Sequence, residues 1–426
     1  MSADSSFRRI LFIAYYFPPL GMGGTQRLAK WCKYLQRDGW RPAVITVKPI
    51  AYYAYDETLL ADLDGVTIIR AESLDPARVL FRLRRQPASP AYASKRGWMS
   101  WFFVPDSRIL WLPFAIWQAL RLLRRERHAA IVTSGPPHSS HFVGWLMKKF
   151  FGLRWLADFR DSWSGGEVQP EPTPVHRWLN HVMQQFILRH ADVVTTISPQ
   201  LVDELKAHAD SDKVRPRLLS NGYDPEDFAE TPEVEKIFTV VFCGSVTQIA
   251  HPQALVEGFR VFVEMAQLSS QEARLRFVGA DLLGKLKIWV LENRLESFVE
   301  ITGYVSHAEA VLAMQRAAIL VYIAAPGTSA VTVGGKTYEY LASGRPVLCI
   351  GEPVAGMQLL RQYSTTRVCG FHAIDEIALA LLAFYREFTS GDLPIAPPPP
   401  EEFSRRFQAR RLLNLLLGAA EKDSAL

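Results

Sequence analysis

The feature that most constrains the fold is an alternation. Apolar runs shorter than a helix are separated by longer amphipathic segments along most of the 426 residues, the pattern of α/β layers on parallel sheets. Strands are expected at Arg9–Tyr15, Ala43–Val47, Ala129–Thr133, Arg154–Ala157 and Val193–Ile197, with helices between them. The pattern breaks at the polar, proline-bearing stretch Asp224–Val234 (DPEDFAETPEV), where an interdomain linker is expected. It restarts with strands at Phe238–Phe242, Arg274–Val278, Val299–Thr302, Ile319–Ile323 and Val347–Ile350. No sequence repeat joins the halves; they share only the α/β grammar. The expectation is two Rossmann-like domains facing across a cleft, residues 1–225 and 226–400. Pro394–Pro400 reads as a stiff linker, and 401–426 as a terminal amphipathic helix packing back on the first domain.

Composition removes several classes. Hydrophobic content of 49% with 21% charged residues describes a globular chain. Cys32, Cys243, Cys349 and Cys369 are far apart and form no CxxC pair, against a disulfide framework or zinc site and in favour of a reducing compartment. The apolar run Ile10–Ala14 is cut off by Pro18-Pro19, too early for a signal segment. No other stretch holds the roughly 18 apolar residues of a spanning helix. A cytoplasmic protein is expected. A net charge of +5 is modest for the size and decides little.

Chemistry concentrates in one stretch, Gly334–Leu348 (GGKTYEYLASGRPVL). Gly334, Gly335 and Lys336 open a helix, Glu339 follows about a turn later, and Gly344-Arg345-Pro346 stops it. A helix start offers free N–H groups and partial positive charge, and glycine lets a ligand approach. With Lys336 beside it, the sum is an anion site, and Glu339 is placed to accept from vicinal sugar hydroxyls. A plain N-cap with a surface lysine is the competing reading. Gly21, Gly23 and Gly24 also lie between a strand and a helix, as in a dinucleotide loop. The spacing is not GxGxxG, and Val47-Lys48 stands where an acidic residue would end the second strand, against a dehydrogenase. A turn needed only for chain reversal remains open there.

Two loops after strands add candidates. His138 follows the fourth strand, where open α/β sheets bind ligands, or else it caps the next helix. Asp158, Arg160 and Asp161 follow the fifth and either bind a polar ligand or pair, Asp158 with Arg160. Residues 78–127 combine Arg78, Arg82, Arg84, Arg85, Lys95, Arg96, Arg121, Arg124, Arg125 and Arg127 with Trp98, Trp101, Phe102, Phe103, Trp111, Phe114 and Trp117. Such a mixture suits an anionic membrane surface. It equally suits a helix with core tryptophans and a solvated arginine side. No RNA-binding or helix-turn-helix signature accompanies it, so no nucleic-acid partner is expected.

Over nearly its whole length the sequence resembles family 4 glycosyltransferases, the retaining GT-B enzymes. The resemblance lies in FPPLGMGGTQR, SGPPHSSHFVGW, ADFRDSW, TTISPQLVDEL, LSNGYDPEDF, FCGSV, RFVGA, VEITGYVSHAEAV and GGKTYEYLASGRPVLCI, and in their order. It implies a nucleotide-sugar donor as substrate with no separate cofactor, and a glycan or polyprenyl-linked acceptor. Gly23 and Gly24 would meet the donor diphosphate, as would Gly244 and Ser245 from the second domain. Gly335 and Lys336 would hold phosphate, Glu339 the ribose, and His138 would lie near the transferred sugar. Asp158, Arg160 and Asp161 fall on the acceptor or sugar side.

Two departures stand out. Val331 occupies a position where the family commonly has a glutamate, and Ser245-Val246-Thr247-Gln248 replaces a common Arg and Lys. A GKxxEYL variant occurs among bacterial members that build surface polysaccharide, so such a subgroup is expected, peripheral on the inner face of the plasma membrane. There is no DxD motif of the kind metal-dependent transferases use, so metal-independent stabilisation of the leaving diphosphate by Lys336 and helix N–H groups is expected. The alternatives are a GT-B nucleotide-sugar epimerase and a non-catalytic scaffold in a polysaccharide assembly.

Overall fold

The computed structural model describes residues 8–52, 54–84, 101–163, 171–210, 213–248, 250–326 and 333–418. Val331, Arg85, Lys95, Arg96 and Trp98 lie outside them. The chain forms two units. Unit 1 comprises Met1–Asn221 with Ser404–Leu426, and unit 2 is Gly222–Phe403.

Unit 1 is built on seven strands: β1 (Arg9–Ile13), β2 (Arg41–Val47), β3 (Thr67–Ala71), β4 (Ala130–Gly135), β5 (Arg154–Phe159), β6 (Val193–Thr196) and β7 (Arg217–Leu218). Their order is β3-β2-β1-β4-β5-β6-β7, and each recorded pairing is parallel. Parallel sheets are covered on both faces, so their strands read as continuous apolar runs rather than alternating ones. β4 is buried along its whole length. Leu11, Ile45, Ile131 and Trp155 pack on one face with Trp111, Val143 and Met147. Ile10, Phe12, Val44 and Leu156 pack on the other with Leu28, Trp31 and Leu35 of the helix Gly23–Arg37. Leu412 and Leu416 of the helix Arg405–Leu417 join this second cluster, so the returning chain completes unit 1.

Unit 2 repeats the plan with six strands: β8 (Phe238–Cys243), β9 (Ala273–Val278), β10 (Val299–Gly303), β11 (Ile319–Ala324), β12 (Val347–Gly351) and β13 (Thr366–Cys369). The order is β10-β9-β8-β11-β12-β13, with parallel pairs. The polar segment expected as a linker belongs to this unit, where Pro225–Phe228 forms a 3-10 turn capped by Asp224. The proline-rich segment also lies along unit 2, with the Ala396 N–H donating to Gly344 O at 2.9 Å.

Local signals set the helix ends. Thr173 and Ser198 each cap a helix whose first residue is proline, and Ser306 with Glu309 forms a reciprocal capping box. Gly344 and Gly418 end helices in the left-handed conformation that glycine adopts without strain. All four cysteines are buried thiols.

Candidate functional site

In each sheet the strand order reverses direction once, between β1 and β4 in unit 1 and between β8 and β11 in unit 2. Loops at the C-terminal ends of strands diverge at such a point and leave a crevice for ligands. The candidate residues gather at these two places.

At the unit 2 switch point, Gly244 and Ser245 follow β8 directly. The loop is held as an extension of the sheet: Gly244 N–H donates to Val278 O and Val246 N–H to Ala280 O, both at 2.9 Å. The helix Gly335–Ser343 follows β11 with Gly334 as N-cap and no acidic residue in its first turn. Tyr340 fixes its position. The phenol accepts from the Cys243 N–H at 3.0 Å and donates to Val321 O at 3.1 Å, tying the helix to the ends of β8 and β11. Lys336 thereby stands at the helix start with Nζ 2.6 Å from Glu339 Oε2. Burial works against its charge, but the Glu339 carboxylate beside it favours the charged form and its pKa is raised above the usual lysine value, so the ammonium persists at neutral pH. The sequence reading placed these two residues near each other on one helix; their direct ion pair is new.

At the unit 1 switch point, β4 runs to Gly135, two residues further than expected, and His138 sits in the short loop before the helix Ser140–Phe151. Its ring is fully buried and stacks on Trp163, with centroids 4.7 Å apart and planes 16° apart. His141 stacks on Phe159 at 4.7 Å and makes a hydrogen bond through Nδ1 to Thr133 Oγ1 at 2.7 Å. Gly135 permits this arrangement, since a Cβ there would lie 2.7 Å from His138 Nδ1 and 2.8 Å from His141 Nε2. Neither nitrogen of His138, nor Nε2 of His141, meets a hydrogen-bond partner among the described residues. Burial lowers the pKa of His138 to about 3, with Arg160 acting in the same sense and the Ser162 backbone opposing. At neutral pH His138 is an uncharged imidazole, able to position a group or relay a proton but not to act as a resident cation.

Asp158 does not pair with Arg160. Its Oδ2 accepts from Arg27 Nε at 3.2 Å and its Oδ1 from Arg27 Nη2 at 3.0 Å, while Ser134 and Thr195 each donate at 2.9 Å. Both partners of this ion pair are 0% exposed, so Asp158 is an internal anchor with its oxygens occupied. Arg27 continues the network to the Leu219 and Ser220 carbonyls, both at 2.6 Å. The reason is geometric. Asp158, near the end of β5, meets the helix Gly23–Arg37 at Arg27, and Arg160, one residue past that strand, meets it about one turn earlier at Gly24. Arg160 binds the Pro136 carbonyl through Nη2 at 2.6 Å and the Gly135 carbonyl through Nε at 3.3 Å, leaving Nη1 against Gly24. Asp161 makes no hydrogen bond among the described residues, and burial raises its pKa despite Arg160 nearby.

The basic, aromatic segment divides in two. Trp111 is core, Arg78 pairs with Glu72, and Arg108 binds Asp75 at 2.8 Å. Trp101, Phe102 and Trp117 are exposed, with Arg121 over the Trp117 ring at 5.5 Å and Arg124 and Arg125 also exposed. Among the described residues no helix is long and apolar enough to cross a membrane, and no three His, Cys, Asp or Glu residues gather to hold a metal ion.

Sequence reasoning gave no role to Arg27, Tyr340, His141 or Trp163. Each lies inside or beside a motif that was read, but only the fold shows what it touches.

Comparison with known families matches residues 22–222 to a glycosyl transferase 4-like domain and residues 237–386 to the glycosyl transferases group 1 domain. No curated protein matches the chain significantly. Among solved structures it is similar to a sucrose-phosphate synthase from Thermosynechococcus elongatus, with 16% identity, 96% of this chain and 97% of that chain covered, and a TM-score of 0.57. It is also similar to WaaG, a glycosyltransferase involved in lipopolysaccharide biosynthesis, with 12% identity, 96% and 100% covered, and a TM-score of 0.58. A putative UDP-N-acetylglucosamine 2-epimerase from Listeria monocytogenes gives 14% identity, 99% of each chain covered, and a TM-score of 0.59. At these identities the likeness speaks for the fold alone, and it is the GT-B fold. With one glycosyltransferase domain in each half, the chain belongs to the GT-B glycosyltransferases.

Proposed function

We propose that the protein transfers a sugar, with retention, from a nucleotide-sugar donor to a glycan or lipid-linked acceptor in cell-surface polysaccharide assembly. The observation that carries the donor reading is the Lys336–Glu339 pair at a helix start on the unit 2 switch point. Its ammonium and the first-turn N–H groups would meet the diphosphate, and Glu339 the ribose hydroxyls. As the sugar–phosphate bond breaks, negative charge grows on the leaving phosphate, and fixed cations and N–H groups stabilise it. No protein nucleophile is assigned: the acceptor attacks from the side the leaving group departs, and phosphate takes its proton. A neutral His138 would orient the sugar or relay a proton. The exposed Trp101, Phe102 and Trp117 with Arg121, Arg124 and Arg125 support peripheral contact with an anionic membrane.

The test is calorimetry with UDP, GDP, ADP, CMP and dTDP on the wild type and Glu339→Ala. One nucleotide should bind, and the variant should weaken it roughly 10–100-fold, the worth of hydrogen bonds to a carboxylate. Binding of none to the wild type would sink the transferase reading in favour of a scaffold. Likeness to an epimerase fold supports a second reading, distinguished by turnover of nucleotide sugar without acceptor.

A further inference from the structure

We infer that His141 is a positioning residue: at the end of a Trp155–Thr133–His141 chain of hydrogen bonds, it holds the proton of His138 on Nε2, so that His138 offers the transferred sugar a hydrogen-bond donor. Only the identity of what His138 meets rests on the transfer reading. The chain starts from a group with one possible role. An indole N–H donates and cannot accept, so Thr133 Oγ1 receives the Trp155 Nε1 hydrogen at 2.8 Å. The single hydroxyl hydrogen of Thr133 then has two acceptors in reach, His141 Nδ1 at 2.7 Å and the Leu156 carbonyl at 3.5 Å. The first is a good hydrogen-bond length and the second lies at the outer limit, so the hydroxyl donates to Nδ1. His141 therefore carries its own hydrogen on Nε2. Gly144 lets the helix Ser140–Phe151 lie close enough for this chain, since a Cβ there would collide with Trp155 Nε1 and Thr133 Cγ2.

Both rings are neutral at pH 7, so each has one N–H to place. Burial lowers the pKa of His141 well below the usual histidine value, with His138 and Arg160 acting in the same sense, and lowers that of His138 to about 3. From the point where a Cβ on Gly135 would stand, His138 Nδ1 is 2.7 Å away and His141 Nε2 is 2.8 Å away, so the two nitrogens converge. A hydrogen on each would set two positive dipole ends together in a buried site that screens them poorly. With the His141 hydrogen fixed by Thr133, the favoured arrangement leaves His138 Nδ1 as a lone pair. The Ser162 backbone favours an N–H on the His138 ring, and with Nδ1 excluded that N–H is at Nε2. Stacking on Trp163 and on Phe159 holds the two ring planes, so the choice of nitrogen is also a choice of direction. In this tautomer His138 Nε2 donates to a sugar oxygen and does not take its proton.

The test is long-range ¹H–¹⁵N spectroscopy of the histidine rings in the ¹⁵N-labelled full chain at pH 7, with ring signals assigned through their backbones. In the wild type both rings should show Nε2 protonated and Nδ1 bare. Thr133→Val removes the hydroxyl and should leave His141 and His138 each exchanging between tautomers, whereas Thr133→Ser keeps the hydroxyl and should keep the wild-type spectrum. His141→Phe should likewise release His138 to both tautomers. His141→Gln, which retains an amide N–H near the lost Nε2, should hold His138 in one. A role confined to packing predicts one His138 spectrum across all folded variants, and that result overturns the proposal. So does a wild-type spectrum with either ring protonated at Nδ1, a reading independent of whether any variant folds. The spectra require no nucleotide sugar, so failed nucleotide calorimetry would remove the transfer reading and leave this inference to be decided by itself.

Discussion

Arg27 and Asp158 stand 131 positions apart, and neither is exposed to solvent. Their bidentate pair joins the first helix to β5 and, through the Leu219 and Ser220 carbonyls, to the end of the first run of unit 1. Breaking such a pair leaves one charge buried without its partner. Arg27→Met is therefore expected to destabilise unit 1 by roughly 3–5 kcal/mol, with Asp158→Asn similar and the double variant less than the sum. Denaturant unfolding of the three variants checks this, and additive losses would show that the residues act independently. The sequence offered Asp158 and Arg160 as natural partners because spacing is all it displays. Which of two arginines takes the carboxylate depends on a helix more than a hundred residues upstream.

Elements were more legible than contacts. Strand positions followed from apolar runs bounded by glycine and proline, and the helix Gly335–Ser343 from its glycines and its Gly344-Arg345-Pro346 stop. Those signals are local, as are hydrogen bonds within a turn. The segment 78–127 was less legible, because tryptophan and arginine serve core, ion pair and surface alike. Trp111 and Trp117 lie six residues apart, one buried and one 56% exposed. The exposed part carries the membrane prediction. Changing Arg121, Arg124 and Arg125 on this stretch to glutamate should abolish pelleting with anionic vesicles while leaving the melting temperature within a few degrees. Unchanged pelleting would remove the membrane contact.

On the scale of the molecule, duplication of the α/β grammar announced two Rossmann-like units, and each sheet's switch point gathers the candidate residues. Contacts inside those sites were not legible, because they join strands and helices far apart in sequence. The helix Arg405–Leu417 places Ala409, Leu412, Leu415 and Leu416 in the cluster covering unit 1's sheet. Burial of each leucine contributes about 1.5–3 kcal/mol, so deleting residues 404–426 removes stabilisation comparable with the usual margin of a domain. The truncated protein is expected to lose the cooperative unfolding of unit 1 and retain that of unit 2, read by calorimetry. Two intact transitions would refute this.

That returning helix also sets an order in time. The ribosome finishes the first 221 residues of unit 1 and then synthesises all of Gly222–Phe403 before the missing layer emerges. At about 5–20 residues per second, unit 1 waits on the order of ten seconds or more with Leu28, Trp31 and Leu35 lacking the returning helix, while unit 2 is still being made. The part of the chain made first is the part that matures last, and for that interval its open face is a client for chaperones.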